Sequence, residues 1–103
     1  MTFKTKNIGI DIDSKREGKK LLRILRILNI KGKYRISSSK RGFHFNLDVK
    51  RCTKEEQLLI RYIFGDCYGR WLGDVRRLKF GIETFNVLFD KKKGRKSGRW
   101  KKI

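Results

Sequence analysis

Apolar and polar residues alternate along the first stretch of the chain. Ile8, Ile10 and Ile12 fall on one side of an extended segment, with Gly9, Asp11 and Asp13 on the other. Residues 3–13 are therefore predicted to form a strand with one buried face. The period then changes from two to 3.6. Ser14 and Glu17 stand at capping-box spacing, and Leu21, Leu22, Leu25 and Leu28 follow on one helical stripe widened by Ile24. Asn29 and Gly32 are the expected stop. Residues 33–39 read as a second strand, Lys40-Arg41-Gly42 as a tight turn, and residues 43–49 as a third strand. In the third strand Phe43, Phe45, Leu47 and Val49 point one way and His44, Asn46 and Asp48 the other. Thr53 and Glu56 form a second capping box, opening a helix that runs to about Phe64 and is stopped by Gly65.

Residues 66–74 read as Gly-rich and irregular. Residues 75–80 and 84–89 read as two more strands, joined by Gly81-Ile82-Glu83. From Lys91 onward, 8 of 13 residues are Lys or Arg, the composition of a basic tail. The order β-α-β-β-α-β with one further strand predicts an α+β fold. It is the ferredoxin-like, RRM-like split β-α-β arrangement, an antiparallel sheet with two helices on one face. Residues 1–90 are expected to form one domain and 91–103 its tail. On this parity the helices cover Ile8, Ile10, Ile12, Phe43, Phe45 and Leu47. Asp11, Asp13 and His44 share the face expected to be open.

Composition sharpens the picture. Leu, Ile, Val and Phe make up 31 of 103 residues, well above the roughly 20% below which a charged chain stays disordered. Lys and Arg number 29 against 10 acids, for a net charge of +19. Such an excess on a small domain points to a polyanion, and single- or double-stranded nucleic acid is the first candidate. No stretch approaches the roughly 18 apolar residues of a membrane span. The first residues lack the apolar core of a signal peptide, so a cytoplasmic location and two reduced thiols are expected. Two cysteines exclude a disulfide scaffold, and Cys52, Cys67 and His44 lack a recognisable zinc spacing.

Two carboxylates two residues apart on a strand lie roughly 6–7 Å apart on one face. Such a pair suits hard divalent cations bridged by substrate phosphates. The run Ser37-Ser38-Ser39-Lys40-Arg41-Gly42-Phe43-His44 combines hydroxyls, two cations and a glycine turn, the ingredients of a phosphate cradle.

These two motifs resemble those of the archaeo-eukaryotic primases and primase-polymerases. Ile10-Asp11-Ile12-Asp13 resembles the family's Asp-x-Asp. Ser38 to His44 resembles its Ser-Gly-x-x-Gly-x-His, with Ser39 where the family often has Gly. Asp74 resembles the third acid, with Asp66 and Glu83 near enough to compete. The resemblance spans residues 8 to about 94, and family members usually carry an extra α/β unit that is missing here. It implies that Asp11, Asp13 and Asp74 bind two Mg²⁺ or Mn²⁺ ions. It implies further that Ser38, Ser39, Lys40, Arg41 and His44 hold an incoming NTP or dNTP. Arg77, Lys79, Lys91, Lys92 and Lys93 would contact nucleotide or template, and Arg95 lies in the same basic run. The reaction implied is transfer of a nucleotide to a 3′-hydroxyl on a single-stranded template, with a protein partner as one way to complete the site.

Trp100, in the charged tail, is expected to stack on bases. The rival function on the same fold is non-catalytic nucleic-acid binding. Arg41-Gly42-Phe43-His44-Phe45 comes close to the third-strand signature of the RNA-recognition module. That module needs both phenylalanines to face outward, which would bury Asn46 and Asp48 instead.

Overall fold

The computed structural model describes residues 4–37, 40–81, 91–92 and 95–103. Strand β1 (Lys4–Ile12) leads into helix α1 (Lys15–Ile27), then β2 (Gly32–Ile36) and β3 (Phe43–Thr53). Helices α2 (Lys54–Ile63) and α3 (Tyr68–Lys79) follow, with short strands β4 (Lys91–Lys92), β5 (Arg95–Lys96) and β6 (Lys101–Lys102). The main sheet has the order β1-β3-β2-β6, and β4 and β5 form a separate two-stranded pair. Strand β3 runs antiparallel to both β1 and β2, so β1 and β2 are parallel to each other and linked through α1. This is the split β-α-β unit expected from the sequence.

The helix ends follow the chemistry of their caps. Ser14 Oγ accepts from the Glu17 amide, and Thr53 and Glu56 make both halves of a capping box. At the end of α2 the Asp66 amide donates to the Arg61 carbonyl and the Gly65 amide to that of Tyr62. This is a Schellman closure, and it needs the left-handed φ of +82° that Gly65 supplies.

One face of the sheet holds the core. Ile8, Ile10, Ile12, Phe43, Phe45 and Leu47 are buried with Leu21 and Leu25 of α1, and Ile60 of α2 and Phe64 at its C-cap pack against them. Phe43 and Phe45 also contact the Tyr34 ring. They point into the core, so they offer no stacking platform of the RNA-recognition type.

The chain departs from expectation after Gly65. Residues 68–79, read as an irregular loop and the start of a strand, form the single helix α3. Tertiary pairing decides this. Asp74 meets Arg77 one turn away and Arg61 of α2, and Trp71 Nε1 donates to the Leu58 carbonyl at 2.7 Å. The Val75–Phe80 strand is therefore absent, and the other expected strand, residues 84–89, lies outside the described residues. The end of the basic segment is part of the sheet: Lys101 and Lys102 pair with Tyr34 and Lys33 of β2.

Glycines test this packing in opposite directions. A Cβ on Gly42 would collide with the Ile12 carbonyl, whereas one on Gly69, within α3, meets nothing within 4 Å. Gly42→Ala is expected to destabilise the fold by about 1–3 kcal/mol. Gly69→Ala is expected to stabilise it by up to about 1 kcal/mol. Urea unfolding of the two variants checks the pair, and equal midpoints would contradict the geometry.

Candidate functional site

Strand register assembles the polar row. Asp11 of β1 and Arg35 of β2 each stand directly opposite His44 of β3. Arg35 Nε donates to His44 Nδ1 at 3.0 Å. A guanidinium only donates, so Nδ1 carries the lone pair and the imidazole proton sits on Nε2. That nitrogen lies 3.7 Å from Asp11 Oδ1.

The parity read from the sequence holds, but the face is not open at this row. His44 is 4% exposed and Arg35 6%. The last residues explain part of this. The Gly98 amide donates to the Ile36 carbonyl and the Ile103 amide to that of Gly32. Between them Trp100 lies over Arg35, with the guanidinium carbon 4.2 Å from the ring centre, and within 5.0 Å of Lys33 Nζ. Trp100, expected to meet bases, is here a partner of two cations of β2.

Asp11 and Asp13 do come together, and Cys67 joins them. Ligand atoms of these three residues lie within 4.8 Å of one another. Cys67 is brought there by the outer edge of β1. Its amide donates to the Asp11 carbonyl at 2.6 Å, while Asp66 Oδ1 accepts from the Asp11 amide at 2.7 Å. Arg70 Nη1 adds a bond to the Gly9 carbonyl at 2.9 Å. A side-chain carboxylate, a loop amide and a guanidinium thus occupy hydrogen-bonding groups that a neighbouring strand would otherwise take. Burial pushes the Cys67 thiol up, and the Asp13 carboxylate adds to it. Cys52, buried beside Gln57, is also raised by burial.

Asp74 is not in this group. It is buried on α3, with Oδ2 held by Arg61 at 2.7 Å and Oδ1 by Arg77 at 2.7 Å. Asp66, its competitor, accepts from Arg61 and Arg70 and is equally committed. Glu83 lies outside the described residues, as do Ser38, Ser39 and Lys93. Arg77 is the outer partner of Asp74, and Lys79 is exposed at the end of α3. Lys91, Lys92 and Arg95 fall on the β4–β5 pair. In the 37–42 turn, Lys40 and Arg41 are exposed, and Lys40 takes a left-handed φ of +62°. The turn closes on itself, since the Ser37 amide donates to the Gly42 carbonyl and the Lys40 amide to that of Ser37. Gly42 is required by its approach to β1.

Sequence reasoning missed Arg35 and Arg61, and it weighed Cys67 only as a zinc ligand, not as a neighbour of Asp11 and Asp13. Arg35 was legible, because strand alternation places it on the His44 side. Cys67 and Arg61 depend on how the α2–α3 junction meets β1, which no local spacing encodes.

Two outcomes follow. Asp74→Asn removes one partner of a fully buried arginine and is expected to cost about 3 kcal/mol in urea unfolding; an unchanged midpoint would mean the pair is not structural. Asp13→Asn removes a charge that disfavours the thiolate, so Cys67 should be alkylated faster by iodoacetamide at pH 8. Buried Cys52 serves as the slow internal control, and a rate that does not rise would contradict the contact.

No protein-family model, curated protein or solved structure matches this chain.

Proposed function

We propose that this chain is a nucleic-acid-binding α+β domain. The observation that carries the reading is the charge: 29 cationic residues against 10 acids, with Asp66 and Asp74 already engaged by buried or partly buried arginines. Exposed cations stand along α1, at Lys31, at the Lys40–Arg41 turn and at Arg99. Phosphate contacts release condensed counterions, so such a surface gains affinity for nucleic acid entropically. No described helix is long and apolar enough to cross a membrane.

A second reading is primase-like nucleotidyl transfer. It is supported by Asp11 and Asp13 converging on one point, with His44 Nε2 directed at Asp11. Asp11 and Asp13 would hold Mg²⁺ or Mn²⁺; Cys67, whose sulfur lies within 4.8 Å of both carboxylates, is a soft ligand that suits such hard cations poorly. The ion would supply charge neutralisation at the reacting phosphate. Lys40 and Arg41 would meet the triphosphate of an NTP or dNTP, and buried His44, with Nε2 3.7 Å from Asp11 Oδ1, would position that carboxylate. Asp74 has no part in this arrangement, since its carboxylate oxygens are both taken by arginines.

Fluorescence anisotropy with labelled single- and double-stranded oligonucleotides tests the first reading. Affinity is expected to fall by at least about 10³ between 50 and 200 mM salt if six or more phosphates are contacted. No binding at the lower salt would overturn it. Incorporation of labelled nucleotide with Mn²⁺ tests the second. Asp11→Asn/Asp13→Asn should abolish incorporation and leave binding intact or slightly stronger; equal incorporation by the variant would remove the catalytic reading alone.

A further inference from the structure

Helix α1 carries six cations in thirteen residues and one acid, Glu17. At 100° per residue, Lys15, Arg26, Lys19, Arg23, Arg16 and Lys20 fall within an arc of roughly 140°. All six are exposed. Gly18, Leu21 and Leu25 lie on the opposite side and are buried. The only described ion pair on the arc is Lys20 to Glu17, at 3.8 Å with both side chains more than half exposed, a geometry that contributes little. The arc runs the length of the helix, about 16 Å at 1.5 Å per residue.

We propose that this face of α1 docks along the phosphate backbone of double-stranded nucleic acid, without reading its sequence. The inference rests on the nucleic-acid reading above and adds the surface and the strandedness. Charge complementarity carries it. Cations three and four residues apart stand about 5–6 Å from each other. A duplex presents about ten phosphate charges along the same length, one per roughly 1.7 Å of axis. The helix has no aromatic residue, so it offers no aromatic platform for the unpaired bases of a single strand. An anionic bilayer fits poorly, because an interfacial helix must bury its apolar face in lipid. Here Leu21 and Leu25 are already buried in the protein core, and the exposed apolar residues, Ile24, Ile27 and Leu28, are confined to the C-terminal end of the helix, with Ile27 among the cations rather than on a face of its own.

The test is the triple variant Arg16→Gln/Lys19→Gln/Arg23→Gln, whose three side chains are exposed, so melting temperature should not fall. The comparison variant is Arg76→Gln/Lys79→Gln/Lys102→Gln, with the same loss of charge elsewhere. Duplex affinity is measured against salt for both and for the unmodified protein. The α1 variant is expected to lose about a hundredfold in affinity near 0.15 M salt, and its salt slope should shrink by roughly 2–3. The comparison variant should lose much less, and single strands should be affected less than duplex. Equal losses in the two variants, or equal effects on single strands and duplex, would overturn the proposal and leave the nucleic-acid reading standing. So would α1-dependent binding to phosphatidylserine vesicles with duplex affinity unaltered. Failure of the unmodified protein to bind any nucleic acid would instead remove the reading on which the proposal rests.

Discussion

The fold turns on one buried arginine. Arg61 is 0% exposed, and a guanidinium there is tolerable only if its donors are met. Asp66, at the α2–α3 junction, accepts from Nε and lies 2.8 Å from Nη2 as an ion pair, and Asp74 of α3 accepts from Nη1. Arg70 and Arg77 then neutralise the far sides of both carboxylates. This alternation of charges fixes α3 against α2. It also fixes both to the sheet, because the Asp66 carboxylate that receives Arg61 accepts from the Asp11 amide as well. The Schellman turn makes the geometry possible: the residue that follows Gly65 is returned to Arg61, at whose carbonyl its own amide ends. The outer edge of β1 is therefore met by a charge network, and Cys67 is carried to the Asp11 carboxylate as a consequence.

The first two-thirds of the fold was legible because each local signal agreed with the others. Ile8, Ile10 and Ile12 alternate, Ser14 and Thr53 cap, and Gly65 stops a helix, each doing what its spacing implies. The failure came where local signals were weak. Residues 68–79 hold two glycines and a scattered apolar set, and Val75 to Phe80 passes for a short strand. What makes them helical is Asp74 reaching Arg61, thirteen residues back, and Trp71 reaching Leu58 across the helix pair. Neither contact has a signature in sequence.

The site was half legible for the same reason. Alternate positions on one strand had to bring Asp11 and Asp13 to one side, and parity had to put His44 with them. The exposure of that row was not readable. It depends on a segment more than fifty residues further along returning to pair with β2, so that Trp100 settles on Arg35. A run of lysines and arginines reads as solvated tail when considered locally. Its aromatic residue finds a cation of the sheet as readily as it would find a base, since the ring face attracts either.

The distribution of acids explains why the charge excess faces outward. Glu17, Glu55 and Glu56 sit in the first turns of helices, where the backbone dipole favours them. Asp66 and Asp74 are buried with arginines, and Asp11 and Asp13 lie together beside Cys67. Most acids thus serve a cap, a buried pair or the candidate site, which leaves few to balance the surface. Apart from Arg26, which donates to the Ile103 carbonyl, the cations of α1 have no comparable structural role. Their side chains are exposed, and the helix is held by Leu21 and Leu25 on its other face. Self-repulsion among them opposes folding, and an anionic partner laid along the helix would relieve it. The same charges that weaken the isolated domain are thus the ones placed to be neutralised by a phosphate backbone.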